Sequence, residues 1–217
     1  MQHTGDRRAG VGRPRRADAA RNAGLLLSAA KEIFGEYGPE AAMDDVARRA
    51  GLGNATLYRH FPTRGDLLVA VYADEVDALC GQGAALLRDE PDAAEALFVW
   101  LDSFVVHVAT RRALALAITE GPDVRRSELF GRWHASMTAT AEKLLLRARA
   151  VDAVRPDLTA NDLLALTSAA AIASTGADHA QRLLLILRSG FETSGTGSRA
   201  AHSGDFGYSG EETSGRS

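Results

Sequence analysis

Residues 43–61 read MDDVARRAGLGNATLYRHF. Two short stretches of helical pattern, 43–50 and 54–60, flank the tripeptide Gly51-Leu52-Gly53. A three-residue, glycine-containing link between short helices is the signature of a helix-turn-helix. Gly51 suits such a link because glycine enters the left-handed backbone region without a steric penalty. Ala47 is small where the second helix has to cross closely, and Val46, Ala50, Leu52 and Leu57 supply an apolar seam. The second helix is short and polar, with Asn54, Thr56, Tyr58, Arg59 and His60 inside seven residues, and Arg64 adds a cation at the start of the next helix. Side chains of these types on an exposed helix reach base edges and phosphates. An ordinary helical hairpin would satisfy the glycine turn equally well; the polarity of the second helix is what favours a reading head.

Outward from this segment the periodicity stays helical. Leu26, Ala30, Ile33, Phe34 and Tyr37 form one apolar stripe, which Gly38-Pro39 ends because proline disfavours helical geometry at the preceding residue. Leu68, Val71, Tyr72, Val76, Leu79, Gly83 and Leu86 form a second stripe up to Pro91. Leu97, Leu101, Phe104, Val105 and Val108 form a third, before the break at Gly121-Pro122, and Phe130, Trp133, Met137, Ala141, Leu144 and Ala148 a fourth. Thr159 is placed to cap a helix through Leu163, Leu166 and Ala170; Gly176 separates it from a last helix with Leu183, Leu184, Ile186, Leu187 and Phe191. No stretch alternates in the manner of a half-buried strand. The expected fold is all-α: a three-helix head over residues 20–66 and a helical bundle over 67–192, about nine helices together.

Composition fits that reading. The chain has 217 residues, 46% hydrophobic and 24% charged, as in ordinary globular proteins. Cys80 is the sole cysteine, so neither an internal disulfide nor a cysteine-based metal site is expected, and a reducing, cytoplasmic setting is. No apolar run approaches the ~18–20 residues of a membrane span, so no transmembrane helix is expected, and no apolar stretch follows Arg7 and Arg8 as a secretory signal requires. The six histidines show no i, i+4 metal pair, and phosphate-loop and nucleophile motifs are absent. The chain therefore reads as a non-enzyme without cofactor or metal, although a catalytic site assembled in three dimensions leaves no local motif.

Charge is unevenly spread. Residues 1–64 carry eleven Lys/Arg against seven Asp/Glu, whereas the remainder is acidic. Arg13, Arg15 and Arg16 lie in a stretch, residues 1–19, with little to bury. Two readings stand for it: a solvated disordered tail, or a basic arm that contacts nucleic acid. Residues 193–217 are mostly Gly, Ser and Thr without Leu, Ile or Val, so a disordered tail is expected there, with Phe206 and Tyr208 as its only aromatics.

The stretch from Arg21 to Val71 closely resembles the DNA-binding domain of the TetR family of bacterial transcriptional regulators. The resemblance rests on Ile33-Phe34, Gly38, Asp45-Val46-Ala47, Ala50-Gly51-Leu52 and Thr56-Leu57-Tyr58-Arg59-His60-Phe61 followed by Thr63 and Arg64. It implies a homodimer whose two recognition helices enter successive major grooves of a two-fold symmetric DNA operator. Asn54, Ala55 and Thr56 match the start of the recognition helix, Tyr58 and His60 match positions that grip the sugar-phosphate backbone, and Arg64 matches a phosphate-binding cation. Arg59 has two readings, phosphate contact or solvated charge. Where the family commonly has Thr or Ser near position 42, this chain has Ala41-Ala42; the capping side chain and its phosphate contact are missing there, and Arg13, Arg15 and Arg16 are candidates to supply affinity instead, as arms in a narrow minor groove do.

For the rest of the chain the resemblance implies dimerisation and a small-molecule effector, with release from the operator on binding as the usual outcome. Residues 159–191, the last two helices, carry small residues and then consecutive leucines, an apolar surface wider than one stripe that fits a dimer interface or burial within one subunit. Trp100, Phe104 and His107 recur at i, i+4, i+7, and Trp133 and Met137 share a later face. These five are candidates for an effector pocket, and equally for plain core.

Overall fold

Gly38 and Gly51 both adopt positive φ, 83° and 67°, and each ends a helix. Their amides close the turns, Gly38 N to the Phe34 carbonyl at 3.0 Å and Gly51 N to the Arg48 carbonyl at 3.1 Å. A computed structural model describes the backbone of residues 12–119 and 124–192, with side chains for 17–118 and 128–192. Among these it contains eight helices, where about nine are expected: α1 (Gly12–Tyr37), α2 (Met43–Arg49), α3 (Asn54–His60), α4 (Arg64–Asp89), α5 (Ala93–Thr119), α6 (Val124–Arg149), α7 (Ala160–Ala173) and α8 (Ala177–Phe191). The described residues hold no strand; Val154 and Glu192 form one isolated antiparallel bridge, beside which Arg155 N donates to the Phe191 carbonyl at 3.0 Å.

Helix α1 starts at Gly12, inside the segment read from sequence as a disordered arm of residues 1–19. Pro14 falls in the first turn, where its missing N–H costs nothing, and Arg and Ala are good helix formers. Residues 1–11 and 193–217, with Phe206 and Tyr208, and the break at Gly121-Pro122 lie outside the described residues.

Two helices begin with the same device. Thr63 accepts from Asp66 N at 3.1 Å while Thr63 N donates to the Asp66 carboxylate at 2.9 Å, and Thr159 and Asp162 repeat the exchange at α7. Each pair satisfies two otherwise orphaned amides. At the other end of α4, Arg147 of α6 donates to the carbonyls of Leu86, Glu90 and Pro91.

The core is continuous from Leu26 and Val46 in the head to Trp100, Leu144 and Leu163 in the bundle. Helix α5 packs against α4, α6, α7 and α8 and touches α1. It corrects one expectation: although interrupted by charges, α5 is long and apolar enough by length and composition to span a bilayer. Contact with four neighbouring helices accounts for that apolarity. At Gly83 α4 comes close to its neighbours; a Cβ there would lie 2.3 Å from Thr140 Cγ2 and 3.1 Å from Trp100 Nε1.

Three stripe residues depart from the sequence pattern. Tyr37, the last residue of α1, is 62% exposed although Ile33 and Phe34 just before it are buried. Leu166 and Ile186 also stand in solvent, while Leu164, Thr167, Ala171 and Leu184 bury the inner faces of α7 and α8.

Candidate functional site

The second helix of the helix-turn-helix is fixed by one residue. Leu57 is fully buried against the head, with Val46 and Ala47 of α2 equally enclosed and Phe61 closing the end. With Leu57 turned inward, helical geometry turns Ala55, Tyr58 and Arg59 outward, while Asn54 and His60, three residues to either side, flank Leu57 on its own face. Asn54, Ala55 and Arg59 are exposed, Tyr58 is 47% exposed, and Thr56 and His60 are half-buried. The His60 ring lies 6.3 Å from that of Phe61, which sets its direction. What the helix leaves accessible around Leu57 carries hydroxyl, amide and cationic groups and no carboxylate.

Two other cations of the head are engaged by its own acids. Arg48 pairs with Asp45 at 2.6 Å, and Arg49 bridges Glu32 at 2.6 Å and Glu36 at 3.6 Å on α1. Ala42 at the N-cap of α2 makes no side-chain cap, as expected from Ala41-Ala42; Asp44 and Asp45 in the first turn answer the helix dipole instead. Arg64, which the resemblance matches to a phosphate-binding cation, also makes bonds within the chain. It is half-buried and its Nη1 donates to the carbonyls of Pro39, at 2.8 Å, and Ala41. Those carbonyls belong to the α1–α2 turn, so Arg64 ties the start of α4 to that turn, a role the sequence alone did not reveal. Arg13, Arg15 and Arg16 lie on α1, and their side chains are outside the described residues.

The five candidate pocket residues separate into two groups. Trp100 is fully buried, stacks on Phe104 with ring centres 5.6 Å apart and donates from Nε1 to the Leu79 carbonyl at 3.0 Å. Met137 is buried as well. These three are core. His107 and Trp133 instead border Tyr72, whose ring centre lies 5.3 Å from His107, 5.1 Å from Trp133 and 5.3 Å from Phe130.

Polar residues that sequence patterning passes over complete the His107 side. Arg111 holds the Glu75 carboxylate at 2.9 Å, and His107 Nδ1 lies 3.8 Å from the same group. Burial raises the Glu75 carboxyl above its ordinary value, against the pull of Arg111. Burial, with the Arg111 charge added, lowers His107 to about 4, so its ring is neutral near pH 7. Tyr72 is pushed up to about 12 by burial and by Glu75. Arg111 also lies against α1, its Nη1 3.3 Å from where a Cβ on Gly35 would stand. Ahead of these groups a groove of about 400 Å³ runs between α4 and α5. His107 lines it; Trp100, Phe104, Trp133 and Met137 do not. The helical spacing of Glu75 and Arg111 carried no motif, because the pair meets only across two helices.

Comparisons with known proteins agree along the chain. Residues 26–71 match the family described as bacterial regulatory proteins, tetR family, and residues 92–193 match the C-terminal domain described as transcriptional regulator SbtR-like. A TetR transcription regulatory protein from Mycobacterium vanbaalenii is 33% identical, with 83% of this chain and 100% of that one covered and a TM-score of 0.68. The TetR transcriptional regulator SCO0520 from Streptomyces coelicolor is 31% identical over 79% of this chain and 99% of its own, also with a TM-score of 0.68. The HTH-type transcriptional activator FasR of Mycolicibacterium smegmatis is 38% identical over 82 residues, 37% of each chain, so the match spans little more than a third of that relative.

Proposed function

Because this chain belongs to the TetR family of bacterial transcriptional regulators, we propose that it is a ligand-responsive, DNA-binding regulator that acts in the cytoplasm on double-stranded operator DNA. One observation carries the reading: Leu57 is fully buried while Ala55, Tyr58 and Arg59 face solvent from the other side of the same short helix, and Asn54 is exposed in its first turn. In this reading Asn54, Ala55 and Thr56 address base edges, and Tyr58, Arg59 and His60 address the backbone. Arg13, Arg15 and Arg16 at the start of α1 add electrostatic attraction.

The proposed assembly is a homodimer through residues 159–191. In support, α7 and α8 leave Leu166, Ile172, Leu185 and Ile186 between 43% and 69% exposed, an apolar surface that a monomer gains nothing by showing to water. Two-fold pairing of protomers suits a two-fold operator. Helix α4 has 26 residues, about 39 Å at 1.5 Å per residue, and runs from the head into the bundle. A ligand that tilts it changes the separation of the two reading heads. A coupling of ~1–3 kcal/mol would change operator affinity several-fold to about a hundredfold. The proposed outcome is repression relieved by the ligand.

The test is retardation of a pool of promoter fragments at fixed salt, with and without competitor DNA. Selective retention of fragments that share a two-fold symmetric site is the expected result. Uniform retention that competitor abolishes overturns the reading.

A further inference from the structure

The groove between α4 and α5 is lined by Leu79, Gln82, Ser103, His107, Thr110 and Arg111, with Glu75 at its base. Gln82 donates to Ser103 across the two helices at 2.9 Å. Glu75 and Arg111 neutralise one another at 2.9 Å, and the other lining groups are uncharged or apolar. The groove offers a charged molecule no spare counter-charge, so it suits a neutral one. On its inner wall the side chain of His107 is nine-tenths buried, and its Nε2 has no hydrogen-bond partner among the described residues. With Nδ1 facing the Glu75 carboxylate at 3.8 Å, the favoured tautomer carries its proton on Nδ1 and leaves Nε2 a bare acceptor. Buried acceptors are nearly always matched in native structures, and this one stands beside a groove.

We propose that the α4–α5 groove binds a small uncharged molecule that donates a hydroxyl or N–H hydrogen bond to Nε2 of His107. The inference rests on the regulator reading and names the chemistry of its ligand. Nε2 is buried, so a ligand that reaches it from the groove has to spread α4 from α5. Helix α4 leads directly to the head, and Arg111 at the same place abuts Gly35 of α1, which gives occupation of the groove a route to the reading helices.

The experiment uses the full chain with 15N-labelled histidine, titrated with phenol, with anisole (the same ring without a donor) and with benzoate. His107 is assigned by the resonance missing from His107→Phe. Phenol is expected to bind saturably, to move the Nε2 resonance of His107, and to bind about tenfold more tightly than anisole; benzoate is expected not to compete. His107→Phe is expected to erase the preference for phenol, and His107→Gln, which keeps an acceptor oxygen, to retain part of it; the second variant decides the matter if the first fails to fold. Absent phenol binding, equal affinity for phenol and anisole, or an unmoved His107 resonance overturns the proposal. Operator retention by the same samples without any probe is read separately: its loss strikes the regulator reading and leaves the ligand result standing.

Discussion

Arg64 reaches back twenty-five residues to place Nη1 2.8 Å from the carbonyl oxygen of Pro39. A hydrogen bond to a charged group contributes about 1.5–3 kcal/mol, and the second bond, to Ala41, shares the same nitrogen. Arg64→Ala is therefore expected to destabilise the head by ~1–3 kcal/mol, read as a lower urea midpoint. Arg64→Lys should recover only part of it, since an ammonium is a shorter, unforked donor. An unchanged midpoint in both variants would show that the two bonds do not hold the turn.

Arg59, by contrast, is exposed and no ion pair engages it among those described for the head. Arg59→Ala should leave stability within about 0.5 kcal/mol. If each protomer of a dimer neutralises one phosphate with it, the slope of log K against log salt should flatten by about 2. Thr56→Ala should act differently, costing ~1–3 kcal/mol at the preferred operator while non-specific binding is kept. Parallel salt titrations of the two variants on matched and scrambled sites separate these effects.

Local rules carried the all-α fold because helix periodicity and glycine turns act within a few residues: Gly38, Gly51 and the Thr159 cap stand where the pattern puts them. The reading surface was legible for the same reason, since burying Leu57 decides the orientation of its neighbours. Long-range polar contacts were not legible. The bond of Arg64 to the α1–α2 turn spans twenty-five residues, and Glu75 and Arg111 meet across thirty-six residues of sequence. Trp100 and His107 share a helix face at i, i+7, yet one is sealed in the core and the other borders a groove. Spacing on one helix cannot tell those environments apart, because the neighbouring helices decide them.

Gly83 tests the packing of the bundle. A methyl group there would meet Thr140 Cγ2 at 2.3 Å, so Gly83→Ala is expected to destabilise by ~1–3 kcal/mol despite its better helix propensity. Thr140→Ser removes the clashing carbon, and the double variant should recover part of the loss in thermal or urea unfolding. A double variant no better than Gly83→Ala would place the strain against Trp100 instead.

The outer face of α8 offers a test of assembly. Leu185 and Ile186 are 65% and 69% exposed in the protomer, so Leu185→Glu with Ile186→Glu should cost the protomer little. Burying the native pair in a dimer would contribute up to about 1.5–3 kcal/mol per side chain, and buried glutamates would oppose it. Sedimentation velocity should show monomers, with operator affinity falling in step. A dimer that persists places the interface elsewhere.

His107 makes stability depend on pH with a definite sign. Its pKa is about 4 in the fold, mainly through burial, against about 6.5 in an unfolded chain. The unfolded chain binds the proton more readily, so the contribution is complete above about pH 6.5 and is lost as pH falls towards 4, roughly 3 kcal/mol in all. Glu75 acts in the opposite sense, because burial raises its carboxyl and favours the protonated form, so the wild-type profile mixes the two. The stability difference between wild type and His107→Phe isolates the histidine. In urea unfolding that difference should shift against wild type by about 3 kcal/mol between pH 7 and pH 4; a difference that stays constant would mean that the ring is hydrated in the native protein.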